Sequence, residues 1–219
     1  MARSTWSIMP TTQQRKPWSS PRARADETVA DLLGAARDLF ARNGYAATSL
    51  DAVCEAAQLS KGALYHHFGS KQLLFRAVYE KEQERIAARV VRAYAAAAKD
   101  PATASDAWGA VLIGAKAFLD EVLEPDVQRI NLMDAPGALG WEDMRELGGD
   151  CLRMMEEGVA RAVATGDIGA HSVPALARLL YGALCETAMG VARAADPEQA
   201  LRESMREVDG LFGAVRLAR

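Results

Sequence analysis

Between Leu59 and Leu74 the chain reads LSKGALYHHFGSKQLL, a run in which hydrogen-bond donors alternate with small residues. Lys61 and Lys71 carry charge, Tyr65, His66 and His67 carry ring or hydroxyl donors, and Thr48, Ser49 and Ser60 supply hydroxyls just upstream. A lysine can donate to guanine O6 or N7, or to a phosphate, and an alanine methyl such as that of Ala63 can meet a thymine methyl. Gly62 would let a helix approach a groove closely. Lys71 opens a helical pattern whose first-turn N–H groups also favour an anion. This is chemistry for holding a nucleic-acid backbone and reading base edges. It is not chemistry for breaking bonds: the histidines are His66, His67 and His171, and no phosphate-cradling glycine loop, nucleophile elbow or metal-spaced Cys/His set occurs. An enzyme is therefore not expected, and no cofactor or metal is implied.

Two short helical patterns must position these groups. Over Ser49–Ala57, Leu50, Val53, Cys54 and Ala57 share one face at the spacing of an amphipathic helix. Thr48 stands at the expected N-cap with Asp51 three residues on, as in a capping box. Gln58, Leu59 and Ser60 form a turn, and Ser60 can cap a second helix from Lys61 to about His67. A tight turn between two such helices is a helix-turn-helix, whose second helix lies in the major groove.

The LSKGALYHHFGSKQLL run, with the preceding FARNGYAATSLDAV, resembles the DNA-binding signature of the TetR family of bacterial transcription regulators over about residues 26 to 86. The resemblance implies that Lys61, Gly62 and Ala63 face bases while Thr48, Tyr65, His67 and Lys71 hold phosphates. Gln58 departs from it, standing where the family usually has Gly. A left-handed backbone is expected there, at a cost of about 1 kcal/mol to a non-glycine residue.

Charge agrees with this placement. The 219-residue chain has a net charge of −3, yet residues 1–76 hold ten Lys or Arg against six Asp or Glu, and the remainder is acidic. Such asymmetry orients a protein on a polyanion. Residues 1–25, with Pro10, Pro17, Pro21 and five basic residues, read as a disordered basic arm, and Met9 offers an alternative start. No signal peptide or membrane span is read, which places the protein in the cytoplasm, and Cys54, Cys151 and Cys185 read as small buried hydrophobes of a reducing compartment.

The rest of the chain reads as all-α, about nine helices in total: a DNA-binding domain over 26–86 and a helical ligand-binding and dimerisation domain over 87–219. Helix 1 runs Asp26–Asn43 with Gly44 at its C′ position. A long fourth helix, capped by Ser70 and polar over Glu80–Arg85, bridges the two bodies and reads as the mechanical link between them. Helix 5 follows Pro101, helix 6 starts at Pro125, Asp134–Trp141 is a loop, and helix 7 carries Met144 to Val159. Aromatic and Met residues of helices 5 to 8 (Trp108, Phe118, Met133, Trp141, Met144, Met155, Tyr181 and Met189) are candidates to line a cavity for a small apolar effector. The last two helices, 8 and 9, begin near Ser172 and Pro197. They carry an apolar excess, and Leu180, Ala183, Leu184, Leu201, Met205, Val208 and Phe212 are assigned to a four-helix homodimer seam. The expected function is a homodimeric, ligand-responsive repressor that binds a palindromic operator. An activator and a ligand-blind architectural DNA-binding protein stay open as alternatives.

Overall fold

The computed structural model describes residues 21–100 and 106–217. Among these residues ten α-helices, one short 3₁₀ turn and one π-wound segment occur, with no strand. α1 spans Pro21–Ala47, broken at Gly44, α2 Leu50–Ala57, α3 Lys61–Phe68 and α4 Lys71–Lys99. Helical backbone thus begins at Pro21, five residues earlier than expected, and takes in the end of the proposed arm; residues 1–20 lie outside the described residues.

The α1 stripe of Leu32, Ala36 and Phe40 is wholly buried, and packs with Val53, Leu64, Leu74 and Phe75 into one apolar core. Phe75 meets Phe40 edge-on at 5.0 Å and Tyr45 at 4.9 Å. At 29 residues, α4 is about 43 Å long. Its first turns belong to this core and its later turns pack against a second one. Its charged middle, exposed at Glu80, Lys81 and Glu84, turns one carboxylate inward. Glu82 is 2% exposed and accepts from Arg37 of α1 at 2.7 Å and from Arg85 at 3.0 Å. Buried charge survives there because it is paired on both sides.

The second core is built from α5 (Ala107–Asp120), α8 (Gly149–Thr165), α9 (Val173–Ala192) and α10 (Pro197–Leu217). Gly158 lets α8 sit against α5, since a Cβ there would lie 2.7 Å from a methyl of Val111. By length and composition alone α9 would also pass for a membrane span, a test that a core helix passes equally. Here its Ala177–Leu180–Leu184–Ala188 face is core.

The region between α5 and α8 departs most from expectation. Val127–Asp134 is wound as a π-helix. Ala135–Ala138 then forms one helical turn (α6), with Pro136 in its first turn, where a missing N–H costs nothing. Asp134–Trp141 is therefore not an open loop. The single helix expected over Met144–Val159 is divided into α7 (Trp141–Leu147) and α8, separated at Gly148.

Candidate nucleic-acid interface and effector cavity

Capping fixes the two short helices. Ser49, not Thr48, caps α2, its hydroxyl accepting from Ala52 N–H at 3.1 Å. Thr48 is 2% exposed, and its hydroxyl donates inward, within 2.8 Å of Gly44 O. Thr48 therefore locks the α1–α2 corner, and its side chain is not presented to a phosphate. Ser60 caps α3 by accepting from Ala63 N–H at 3.2 Å, and Ser70 caps α4 through Leu73 N–H at 3.1 Å. Each capping hydroxyl accepts the bond and keeps its own proton to donate. Gln58 adopts the left-handed conformation expected of it, with φ 55° and ψ 37°.

With Leu64 buried beneath it, α3 presents Lys61, Gly62, Tyr65 and His66 outward, with Ala63 and His67 half-buried. Tyr65 is 54% exposed. His66 and His67 meet edge-on at 5.1 Å. Lys61 Nζ lies 2.7 Å from Asp51, and that hydrogen bond is the first cause of its raised pKa. Lys71 donates to Ala46 O at 3.1 Å and covers the Tyr45 ring at 4.5 Å. The face thus combines exposed donors, one small residue and two lysines held in place.

A second connection joins this unit to the rest, one not foreseen from the sequence. Asp126 accepts from Arg37 at 2.6 Å, and Asp134 accepts from Tyr45 N–H at 2.7 Å and from Arg129 at 3.2 Å. Gly44, at φ +80°, lies directly under the Arg129 guanidinium, so a side chain there would be strained by the backbone and would push the guanidinium aside. Gln72 donates to Ala138 O at 2.9 Å. Ile130, Ala135 and Leu139 are buried in the N-terminal core. The π-wound segment and α6 thus grip α1 and α4 together. Its signal in the sequence was weak: acidic residues Asp126 and Asp134 among apolar ones, without a readable period.

Two largely apolar cavities lie beyond. One, of about 450 Å³, is walled by Val90 and Tyr94 of α4, Val111, Ala115 and Phe118 of α5, and Met155. The other, of about 150 Å³, is lined by Tyr79, Asn131, Trp141, Met144, Cys185 and Met189 among others. Phe118 and Tyr181 line both. Of the eight candidates, Phe118, Trp141, Met144, Met155, Tyr181 and Met189 therefore border a cavity. Trp108 does not. It is 1% exposed, stacks on Phe212 at 5.0 Å and donates its indole N–H to Phe212 O at 2.9 Å. Met133 also lies outside, half-exposed on the surface. Cys151 borders the larger cavity. Burial pushes its thiol up to about 11 and raises Cys185 too, so both stay protonated near neutral pH.

Most residues assigned to the dimer seam are buried within the chain itself. Leu180, Leu184, Leu201, Val208 and Phe212 are at most 6% exposed and belong to the chain's own core, leaving Met205 half-buried and Ala183 outward. Such periodicity marks a buried stripe without saying what buries it. The outward apolar positions are instead Leu179, at 72% exposure, with Gly182 and Ala183 on α9, and Leu211, at 44%, with Ala214 on α10.

Comparison with known proteins gives the following. Residues 32–78 match the family described as bacterial regulatory proteins, tetR family, and residues 108–215 match the tetracyclin repressor-like C-terminal domain. A solved TetR-family transcriptional regulator from Pectobacterium atrosepticum is 33% identical, over 90% of this chain and 97% of that one, with a TM-score of 0.77. The HTH-type transcriptional regulator UidR of Escherichia coli is 43% identical over 65 residues, 30% of this chain and 33% of UidR's length. The chain thus matches about a third of that relative. The transposon Tn10 TetC protein of Escherichia coli is 26% identical over 71% of this chain and 75% of its own.

Proposed function

The chain belongs to the TetR family of bacterial regulatory proteins, and on that premise we propose that it is a homodimeric transcriptional repressor, acting in the cytoplasm, that binds an operator and is released by a small molecule. The observation that carries the reading is the outward face of α3. Its exposed donors Lys61, Tyr65 and His66 flank Gly62, on a helix anchored by Leu64 and capped at a fixed angle by Ser60. Lys61, Gly62 and Ala63 read base edges. Ser49, Ser60, Tyr65, His66, His67 and Lys71 hold the backbone, and the buried Thr48 hydroxyl serves the corner instead. The DNA-binding unit is residues 26–86, and 87–219 form the effector and dimer unit.

The dimer forms through the outward faces of α9 and α10, around Leu179, Ala183 and Leu211. Two recognition helices must then meet successive major grooves about 34–36 Å apart, or a multiple of it. An effector in the cavities beside α4 and α5 favours a state in which that separation is wrong.

The test begins with selection of duplexes from a random pool, followed by fluorescence anisotropy across salt concentrations. Lys71→Ala should weaken binding to all duplexes alike and lower the slope of log affinity against log salt by about one, as loss of one phosphate contact requires. Lys61→Ala should change which duplexes are preferred. Failure of the wild type to enrich any duplex would defeat the reading, and an unchanged slope in Lys71→Ala would remove Lys71 from the interface.

A further inference from the structure

Asn131 is 3% exposed, and neither its Nδ2 nor its Oδ1 has a hydrogen-bonding partner within the protein. Buried carboxamides are almost always paired, because an amide withdrawn from water without a partner is costly. This one borders the smaller cavity. The other buried or half-buried polar groups of that wall are already engaged, and Glu186 is exposed. Both oxygens of Glu121 accept from arginines, one from Arg85 at 3.0 Å and the other from Arg89. Tyr79 bonds Gln83, and the Tyr181 hydroxyl faces Gly148 O at 3.4 Å. Arg145 lies over the exposed Trp141 ring at 5.4 Å, at the outer edge. One donor and one acceptor, side by side on Asn131, are left without partners in the wall of that cavity.

We infer that Asn131 is the polar anchor of the effector site, and that the effector is an uncharged amphipathic molecule carrying a carboxamide-type group: a primary amide, lactam or cyclic imide. Such a group answers both atoms at once, its N–H donating to Oδ1 and its carbonyl accepting from Nδ2–H. A carboxylate could accept from Nδ2 but would set its charge against Oδ1. An ammonium would satisfy Oδ1 and leave Nδ2 unpaired. The one buried charge nearby, Glu121, is closed by its two arginines. The other charges of the lining, Arg145 and Glu186, are exposed and of opposite sign, so the buried part of the wall offers no counter-charge to an ionised head. The larger cavity, continuous in its lining through Phe118 and Tyr181, suits the apolar body with Val90, Val111, Ala115 and Met155. The inference rests on the reading that a small molecule controls this protein, and gives that molecule its chemistry.

The test uses the whole chain and three probes that share one body: para-butylbenzamide, para-butylbenzoate and para-butyltoluene, titrated by calorimetry near neutral pH. The benzamide should bind at least about tenfold more tightly than either analogue. Asn131→Leu, of similar volume, should abolish that preference while leaving butyltoluene binding unchanged or stronger, with melting scans confirming the fold. Asn131→Asp, which keeps the size and removes the N–H donors, should also lose the preference, so the inference stays testable if the leucine variant fails to fold. Equal affinity for the three probes, or a preference that survives in both variants, would overturn it and leave Asn131 to an ordered water. Operator binding by the wild type, measured separately, keeps the two readings apart. A protein that binds operator but treats the probes alike overturns this inference alone. One that prefers the benzamide but binds no duplex overturns the proposed function instead.

Discussion

The lysine at the head of α3 is already engaged before any DNA arrives. Lys61 and Asp51 form an ion pair with both side chains more than 60% exposed, the kind of contact that water and salt readily compete away. A phosphate or a guanine edge can therefore take Lys61 over, but Asp51 also places a negative charge at the interface. Asp51→Ala should raise affinity for random-sequence duplex DNA and steepen the salt slope by about one, because the freed ammonium becomes available for a phosphate. Salt-titrated anisotropy on a mixed duplex pool checks this; an unchanged slope would mean that Lys61 stays off the phosphates. The pair illustrates what residue types alone conceal. The donors of the LSKGALYHHFGSK run were legible, but Asp51, one helix earlier, had been read as half of a capping box. Thr48 shows the same limit: a hydroxyl at a helix start reads alike whether it faces solvent or donates inward to Gly44 O.

Elements were legible wherever one rule dominated. Caps, amphipathic period and the glycine at the end of α1 placed the helix-turn-helix within a residue or two, and the departure at Gln58 was readable as a left-handed cap. Gln58→Gly should accordingly stabilise the protein by about 1 kcal/mol, seen as a higher denaturant midpoint at unchanged slope. The stretch from Val127 to Leu139 was not legible. A π-wound turn has no sequence period of its own, and its apolar residues divide between the N-terminal core and a cavity. Most residues assigned to the dimer seam prove to be intrachain core, and for a related reason. In α9 both faces are largely apolar or small, and α10 carries Leu211 and Ala214 outside its core stripe, so periodicity selected the more strongly apolar face, which the chain buries itself. A pair of substitutions separates the faces. Leu179→Glu puts a charge on the outward face and should yield folded monomers by light scattering, with operator binding lost. Val208→Glu places a carboxylate inside the protomer core, where burying an unpaired charge costs several kcal/mol, and should unfold the chain rather than divide it. A dimeric Leu179→Glu at micromolar concentration would move the interface off this face.

Across the whole molecule, two routes join the effector region to the recognition helix. α4 runs from one core to the other, and the π-wound segment reaches α1 and Tyr45 from the wall of the smaller cavity. Shared connection does not by itself make a switch. An effector can release DNA only by binding the DNA-incompetent arrangement more tightly, and by linkage saturating operator must then weaken effector binding by the same factor. Ala115 is the position from which to test that coupling. It is 3% exposed, and it lines the larger cavity opposite Val90 and Tyr94 of α4. Ala115→Trp would place an indole in the space that an effector body needs, without touching α3. The expected result is a protein whose operator affinity no longer depends on effector, whether the indole leaves it fixed in the binding arrangement or in the released one. Operator affinity of wild type and variant, with and without a compound found by thermal-shift screening, decides it. A variant that folds, binds operator as the wild type does and still responds fully would show that the wall at Ala115 is not part of the effector site, and would put the coupling through the smaller cavity and the π-wound segment alone.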